Sequence, residues 1–339
     1  MRLQWNKLML VTAVVLVLLP CGFGQGGVGV NYGLNGDNLP SPGEVVGMYQ
    51  RCKIPYMRIF DPNHDVLEAL RGTEIILSLG TRNEDIENLA ASQEAATAWV
   101  GANVQPYAND VKIGWITVGN EVVPGPSAAH ISQAMTNVHN ALASVGLSNI
   151  FVTTVVSMAA LSVSYPPSAG AFSNDAVDSM NSIAQYFANV GSGSLMVNVY
   201  PYFAYASDPD HISLDYATFK ATDPVVDGEL NYFNLFDAMV DSFYAAMEKI
   251  NAGNISLIVS ETGWPSAGND PKTSIENAKT YNQNLVTHIK GNGTPRRPGQ
   301  LLTVFWFAMF NENQKPVGVE QNFGLFNADM QPVYPVLNC

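Results

Sequence analysis

The chain has 339 residues, of which 47% are hydrophobic and only 13% are charged. This composition permits a large core and argues against disorder. Acidic residues outnumber basic ones by 29 to 16, which gives a formal net charge of −13. Because the sequence contains no basic cluster, nucleic-acid binding has no support, and a neutral ligand fits better than an anionic one.

The first 24 residues have the pattern of a secretory signal peptide. Arg2 and Lys7 form a positively charged start, residues 8–20 are an apolar run, and small residues follow before Gln25. The apolar run is too short for a comfortable membrane span. We therefore expect a secreted protein with a signal peptide at residues 1–24 and one catalytic domain over residues 25–339.

Strand and helix patterns alternate along the rest of the chain. Short apolar, β-rich runs predict eight strands, over residues 28–33, 56–61, 74–80, 115–121, 150–158, 195–202, 257–261 and 302–310. Longer stretches with helical patterns predict helices over residues 41–52, 65–71, 84–109, 130–144, 175–190, 235–250 and 274–290. Pro106 is a candidate break in the third of these helices.

Alternating strand and helix units imply parallel strands joined by crossovers. Eight such units fit a closed (β/α)8 barrel, the α/β fold called the TIM barrel. A doubly wound open sheet is the alternative, but such a sheet usually binds a nucleotide after its first strand. Residues 32–36, Tyr-Gly-Leu-Asn-Gly, are not such a loop. The sequence therefore predicts a single TIM barrel.

Two of the predicted strands end on a glutamate. The fourth ends at Glu121 before a segment rich in Pro and Gly, and the seventh ends at Glu261 before Gly, Trp and Pro. In a TIM barrel both would face the carboxyl-terminal rim, where these folds have their active sites. Glycoside hydrolysis needs such a pair, one carboxyl group as proton donor and one as nucleophile or base. The alternative is that each glutamate is solvated or caps the following turn.

Five motifs make the chain similar to the plant β-1,3-glucanases of glycoside hydrolase family 17. They are MRIFDPN at 57–63, VGNE at 118–121, NVYPYFAY at 198–205, VSETGWPS at 259–266 and FAMFNENQKP at 307–316. The resemblance runs from about Val28 to Pro332. It implies a retaining mechanism in which Glu121 is the proton donor and base and Glu261 is the nucleophile.

The resemblance also implies residues that bind substrate. Asn120 would hydrogen-bond the sugar 2-hydroxyl, although asparagine is also a common turn residue. Tyr200 would contact the nucleophile, and packing at the barrel mouth is the alternative. The aromatic character of Tyr202 and Trp264, rather than the resemblance, makes them candidates for stacking on sugar, with packing at the rim as the alternative.

Further positions match the family or depart from it. Glu312, Lys315 and Glu320 match positions that support the catalytic glutamates, and a solvated, salt-bridged loop is the alternative. A lysine nearby would favour ionised carboxylates, whereas another glutamate would raise the pKa of a neighbour.

Phe60 stands where the family usually has tyrosine, so a hydrogen bond is missing if that hydroxyl contacts sugar. Arg58 matches the family pattern, and we expect a buried, paired charge.

Several residues outside these motifs bear on processing and cofactors. Cys21 leaves with the predicted signal peptide, so the mature chain keeps Cys52 and Cys339, which could form a disulfide in an oxidising compartment. A buried Cys52 thiol beside a frayed C-terminus is the alternative.

Asn254 and Asn292 lie in glycosylation sequons, and Asn292 is the better candidate. The five histidines show no metal-binding spacing, and we expect no metal and no cofactor.

The expected function is cleavage inside a β-1,3-glucan such as callose, laminarin or a fungal wall glucan. The alternatives are a β-1,3-1,4-glucanase of the same family and a non-catalytic glucan-binding wall protein. The expected partner is the polysaccharide, with no nucleic acid and no membrane anchor, and the protein is expected to be a monomer. The acidic charge and short tail resemble extracellular members of the family, so the apoplast or cell wall is expected rather than the vacuole.

Overall fold

The computed structural model describes residues 26–337 and residue 339, so the predicted signal peptide lies outside the described residues. Eight parallel strands close into a barrel, which confirms the predicted TIM-barrel fold. These are called below the first to eighth strands. In chain order they span Gly27–Asn31, Tyr56–Ile59, Ile76–Gly80, Lys112–Asn120, Phe151–Ser157, Ser194–Asn198, Ser256–Thr262 and Thr303–Trp306.

The first strand closes the barrel by pairing with the second and the eighth strands. Gly29 lies in register with Tyr56 on one side and with Phe305 on the other. A Cβ atom at Gly29 would lie 2.7 Å from both side chains, so the glycine leaves room for two aromatic residues in the barrel interior. The buried cluster inside the barrel consists of Tyr56, Trp115, Val155, Met196, Ile258 and Phe305.

Helices connect the strands and pack their apolar faces against the outside of the barrel. They span Pro42–Arg51, His64–Leu70, Ile86–Ala91, Gln93–Asn103, Ile131–Ser144, Asn174–Val190, Pro201–Ser207, Leu214–Ala217, Leu235–Lys249 and Ile275–His288. Within residues 26–337, no helix is long and apolar enough to cross a membrane.

The helix predicted over residues 84–109, with a candidate break at Pro106, is interrupted earlier than expected. The chain forms two helices that are separated at Ser92, whose Oγ accepts a hydrogen bond from the Ala95 amide and caps the second helix. That second helix ends at Asn103, before Pro106. A serine hydroxyl that satisfies an otherwise unpaired amide therefore places a break that was not predicted, while the helical stretch ends before Pro106.

Several predicted strands are longer than the observed ones, and the sixth and eighth extend furthest beyond the observed ends. The sixth strand ends at Asn198, and Pro201 begins a short helix, because proline has no amide hydrogen and its fixed φ suits the first helical position. The eighth strand ends at Trp306. Beyond it, the amides of Phe307 and Met309 each donate a 2.8 Å hydrogen bond to carbonyl groups at the ends of the seventh and first strands. These bonds fix an irregular segment across the carboxyl-terminal rim.

Three short hairpins lie outside the barrel in the described part of the chain. The first follows the fifth strand and pairs Leu161–Val163 with Ala171–Phe172. The second follows the sixth strand and pairs Val225–Asp227 with Leu230–Tyr232. The third precedes the eighth strand and pairs Gly293–Thr294 with Arg297–Pro298. Because the first two hairpins follow strand ends, they stand at the carboxyl-terminal rim.

A disulfide joins Cys52 to Cys339, which decides between the two alternatives that the sequence left open. The two Cα atoms are 4.1 Å apart, although 287 residues separate them in sequence. The C-terminal segment crosses the last helix on its way, where the Tyr334 hydroxyl accepts a 2.7 Å hydrogen bond from Asn282. The disulfide therefore ties the C-terminus to the end of the first helix.

We predict that Cys52→Ser lowers the free energy of unfolding by about 2–5 kcal/mol, because the unfolded chain loses a crosslink that spans most of its length. Chemical denaturation followed by tryptophan fluorescence measures this loss. Cys339→Ser and the double variant are the controls, and all three variants should lose the same amount because each removes one bond. Additive losses in the double variant would show that the thiols contribute separately and would contradict this account.

Candidate active site

A cleft of about 1580 Å³ crosses the carboxyl-terminal rim of the barrel. Glu121, directly after the fourth strand, and Glu261, in the seventh strand, both line it. Sites for small molecules usually have volumes of roughly 300–1,000 Å³, so this cleft can hold a more extended ligand. The structure thus brings the two predicted glutamates into one cavity.

Arg58 is the centre of the hydrogen-bond network beneath the cleft. Its buried guanidinium donates from Nη1 to Glu261 Oε1 at 2.8 Å and to Asn31 Oδ1 at 2.9 Å. The other terminal nitrogen, Nη2, donates to Asn120 Oδ1 at 2.8 Å. The buried, paired charge expected at this position is therefore present, and its partner is one of the two cleft glutamates. Since an unpaired buried charge is costly, this network fixes the orientation of all its members.

Glu261 is held on both carboxylate oxygens. Arg58 binds Oε1, and the Tyr200 hydroxyl donates to Oε2 at 2.8 Å, which is the contact that the family resemblance implied. Burial raises the pKa of Tyr200 well above its ordinary value, so the hydroxyl keeps its proton and remains a donor. Both contacts suit a negatively charged Glu261 with a fixed orientation.

Glu121 has a different environment. Its Oε1 accepts a 2.7 Å hydrogen bond from Asn198 Nδ2, and its side chain is exposed to the solvent of the cleft. Protein atoms nevertheless surround the cleft floor, and this desolvation raises the pKa of Glu121, with the negative charge of Glu261 as the second cause. The Asn198 hydrogen bond and the Arg58 charge oppose the rise. Glu121 therefore keeps its proton to a higher pH than an ordinary glutamate, as suits a general acid.

The backbone turns sharply where the fourth strand delivers Glu121. Gly119 has a φ of 75° and Glu121 a φ of 56°, both in the left-handed region. A Cβ atom at Gly119 would lie 2.7 Å from Ile86, so this position needs glycine. The Glu121 amide donates to the Val155 carbonyl at 2.9 Å, which holds the turn against a strain of roughly 1–3 kcal/mol. The turn directs the glutamate into the cleft.

Asn120 is fixed through both its main chain and its side chain. Its amide donates to Asn83 Oδ1 at 2.8 Å, and its carbonyl accepts from Asn83 Nδ2 at 3.0 Å. Its Oδ1 accepts from Arg58. Among the residues that the structure describes, none accepts a hydrogen bond from Asn120 Nδ2, so this donor is available to a ligand in the cleft.

The three residues expected to support the glutamates all line the cleft, but they differ in their contacts. Glu312 is buried and accepts a 2.8 Å hydrogen bond from the Asn35 amide, and its Oε2 lies 3.4 Å from Lys315 Nζ. A Cβ atom at Gly33 would lie 2.4 Å from the Glu312 carboxyl group, so this chain segment passes directly over it. Glu320 lines the cleft, and its charge is a smaller cause of the raised pKa of Glu121. Glu312 therefore holds the loop after the first strand, and Lys315 lies beside the Glu312 carboxylate.

Phe60 and Phe307 form an apolar wall of the cleft. Their rings meet edge to face with centroids 6.3 Å apart. The guanidinium carbon of Arg58 lies 4.4 Å from the centroid of Phe60, and Lys315 Nζ lies 4.0 Å from that of Phe307. Phe60 thus faces the cleft without the hydroxyl that the family usually has there.

Tyr202 and Trp264 do not reach the cleft, which corrects the expectation that they bind sugar. Their exposed fractions are 1% and 0%, and their rings pack with centroids 5.2 Å apart. The Tyr202 hydroxyl accepts a hydrogen bond from a side-chain amide, and Trp264 Nε1 donates to a backbone carbonyl. The helix that Pro201 begins turns Tyr202 inward and leaves the next aromatic residue, Phe203, at the cleft.

Asn198 and Asn31 belong to the site, although the sequence analysis gave neither a role. Asn198 connects Glu121 to the seventh strand, since its Oδ1 accepts a 2.7 Å hydrogen bond from Ser260 Oγ. Asn31 Nδ2 donates to the carbonyls of Ser260 and Trp306, each at 3.0 Å. Both asparagines end a barrel strand at the rim where the glutamates lie, and this position is the signal that could have identified them.

A barrel that presents two carboxyl groups in unlike environments at its carboxyl-terminal rim has the architecture of a glycoside hydrolase. The model of glycosyl hydrolases family 17 matches residues 28–339. This chain therefore belongs to glycosyl hydrolases family 17, which confirms the resemblance that its motifs indicated.

Individual relatives agree with this assignment. A probable glucan endo-1,3-beta-glucosidase of Arabidopsis thaliana, BG4, is 50% identical over 91% of this chain and 90% of its own length. Lichenase-2 of Hordeum vulgare is 47% identical over 91% of this chain and 97% of its own. A solved structure from work on two plant beta-glucan endohydrolases with distinct substrate specificities matches with a TM-score of 0.87 and 46% identity, over 91% of this chain and 99% of that one.

We predict that Glu261→Gln lowers the pKa of Glu121. The negative charge of Glu261 opposes ionisation of its neighbour, so removing that charge makes proton loss easier. A titration of the Glu121 carboxyl carbon by NMR measures the shift. Glu320→Gln is the matched control and should lower the pKa of Glu121 by less, because its charge is the weaker influence. An equal or larger effect of the control would contradict this description of the site.

Proposed function

We propose that this protein is an endo-acting β-1,3-glucan hydrolase that retains the anomeric configuration. One observation carries the proposal: the two cleft glutamates have opposite electrostatic surroundings within one connected network. The Arg58 guanidinium lies against Glu261, whereas desolvation and the Glu261 charge raise the pKa of Glu121. Carboxyl groups in such unlike environments can act as nucleophile and acid at the same pH.

In the proposed first step, Glu121 donates its proton to the departing glycosidic oxygen while a carboxylate oxygen of Glu261 attacks the anomeric carbon. The bond from that carbon to the leaving sugar breaks, and an ester bond to Glu261 forms. In the second step, Glu121 takes a proton from water, whose oxygen displaces Glu261 from the same carbon. Two successive inversions give net retention.

Neighbouring residues would position these groups during the reaction. Asn120 Nδ2, which is available as a donor, would bind the sugar 2-hydroxyl, a contact that strengthens in the transition state. Tyr200 and Arg58 would keep one oxygen of Glu261 directed at the anomeric carbon. Glu320 would help to keep Glu121 protonated.

The choice of β-1,3-glucan is supported by a relative named as a probable glucan endo-1,3-beta-glucosidase, which is 50% identical. The large cleft suits an internal segment of a polymer such as callose, laminarin or a fungal wall glucan. A relative named lichenase-2 is almost as similar, at 47% identity. This similarity keeps β-1,3-1,4-glucan as the second candidate substrate.

We also propose that the protein is secreted to the apoplast or cell wall. Residues 1–24 have the signal-peptide pattern, and a disulfide such as Cys52–Cys339 persists in oxidising compartments. Both sequon asparagines, Asn254 and Asn292, are exposed and therefore accessible to glycosylation.

Reducing-end release from laminarin and from a mixed-linkage glucan, measured side by side, tests the substrate. We expect laminarin to be cleaved faster. Glu121→Gln should lower the laminarin rate by roughly 10²–10⁴-fold, because a general acid contributes about that much. Glu276→Gln, the same change on an exposed outer-helix glutamate, is the control and should leave the rate unchanged.

Each remaining outcome of this assay favours an alternative. Faster cleavage of the mixed-linkage glucan would identify a β-1,3-1,4-glucanase. Binding of laminarin by the wild-type protein without reducing-end release would identify a glucan-binding wall protein.

A further inference from the structure

The cleft extends past the two glutamates to a part of the rim that the proposed reaction does not use. This part is formed by the loop after the fifth strand, by the insertion after the sixth and by the start of the helix Leu235–Lys249. Its apolar and aromatic side chains are Tyr165, Ile212, Tyr216, Val225, Leu235 and Met239, and polar side chains of the same segments, Ser164, Asp208 and His211, also line the cleft. Tyr165 stands out because 73% of its surface is exposed, although large aromatic side chains are usually much more buried.

Tyr165 is exposed but lies on a rigid segment. Pro166 and Pro167 follow it directly, and their rings fix the backbone φ. Pro167 is buried. A Cβ atom at Gly170 would lie 2.1 Å from a carbonyl oxygen of the helix Leu235–Lys249, so the segment packs closely on that helix. An aromatic ring on a fixed backbone loses little entropy when a ligand binds.

A pair of hydrogen bonds joins this segment to the insertion after the sixth strand. Asp227 accepts from the Ser168 amide at 2.6 Å and from Ser168 Oγ at 2.7 Å. Asp227 ends the hairpin strand that begins at Val225, which lines the cleft. This contact, called here the Ser168–Asp227 clasp, therefore holds the two walls of the cleft at a fixed separation near Tyr165.

We propose that Tyr165, positioned by the Ser168–Asp227 clasp, forms a distal binding site for the β-glucan chain. The occupant is a further part of the substrate chain, because this region is continuous with the cleft that contains Glu121 and Glu261. The phenol ring packs on the apolar face of a glucose ring, and its hydroxyl remains at the wet edge. This proposal rests on the proposed function. Binding at the distal site makes the enzyme prefer long chains to short oligosaccharides.

The test compares kcat/KM for laminarin and for laminari-oligosaccharides of increasing length. Tyr165→Ala should lower kcat/KM on laminarin by roughly 5- to 30-fold, as for a buried aromatic contact in a complex. It should leave the shortest cleaved oligosaccharide unaffected, because that ligand does not reach the distal site. Phe233→Ala is the matched control: Phe233 is a 48% exposed aromatic residue of the insertion after the sixth strand, outside the cleft lining.

Asp227→Ala tests the positioning role of the clasp. It should reduce kcat/KM on long chains with the same dependence on length, while the double variant Tyr165→Ala/Asp227→Ala should be no worse than Tyr165→Ala alone. Additive losses in the double variant would contradict a role through Tyr165.

Two outcomes would overturn the distal site while leaving the hydrolase intact. One is an unchanged kcat/KM of Tyr165→Ala at every chain length, and the other is an equal loss at every length. Calorimetric binding of a long laminari-oligosaccharide to Glu261→Gln separates the two proposals. Binding that is weakened by Tyr165→Ala would support the distal site even if the wild-type protein hydrolysed nothing, and binding that is indifferent to Tyr165→Ala would overturn it.

Discussion

The buried guanidinium of Arg58 is the interaction on which the rest of the site depends. It extends from the second strand and binds Asn31, Asn120 and Glu261, which lie on the first, fourth and seventh strands. A buried charge that loses its partner costs roughly 3–5 kcal/mol, so these strands must keep their register for the charge to be satisfied. The strand register that satisfies Arg58 therefore also fixes the geometry of the site.

At the two glutamates, the barrel compensates for local features that cost folding free energy. Glu121 has a left-handed backbone conformation and a carboxyl group whose pKa is raised by desolvation, and both features disfavour the folded state. Glu261 is buried, but its charge is offset by Arg58. Such local costs are expected at functional sites, where the surrounding fold fixes a conformation that the sequence alone would not favour.

The regular parts of this molecule could be predicted from the sequence because they repeat a simple pattern. Each barrel strand is a short apolar run that ends in turn-forming residues, and helical stretches separate the runs. Glu121 and Glu261 were identifiable because a carboxylate that ends an apolar strand breaks that pattern at the rim of the barrel. Arg58 was recognisable as a buried charge, but its partner depends on which strands become neighbours.

The features that were not predicted depend on local geometry that sequence patterns do not contain. An aromatic residue near a strand end can face the cleft or the core, and the helix begun by Pro201 turned Tyr202 to the core. The serine cap at Ser92 adds a helix boundary upstream of the one before Pro106. The disulfide required two Cα atoms to lie 4.1 Å apart across 287 residues, a distance that only the fold determines.

We propose that Glu261, held by Arg58 and Tyr200, attacks the anomeric carbon of the sugar. A laminaribioside with 2-fluorine and an activated leaving group slows the second step, so the glycosyl-enzyme ester accumulates. Mass spectrometry of proteolytic peptides then locates the added sugar. We expect the peptide containing Glu261 to carry one 2-deoxy-2-fluoro-laminaribiosyl group. A label on the peptide containing Glu121 instead, or release of the leaving group with inversion and no label, would contradict it.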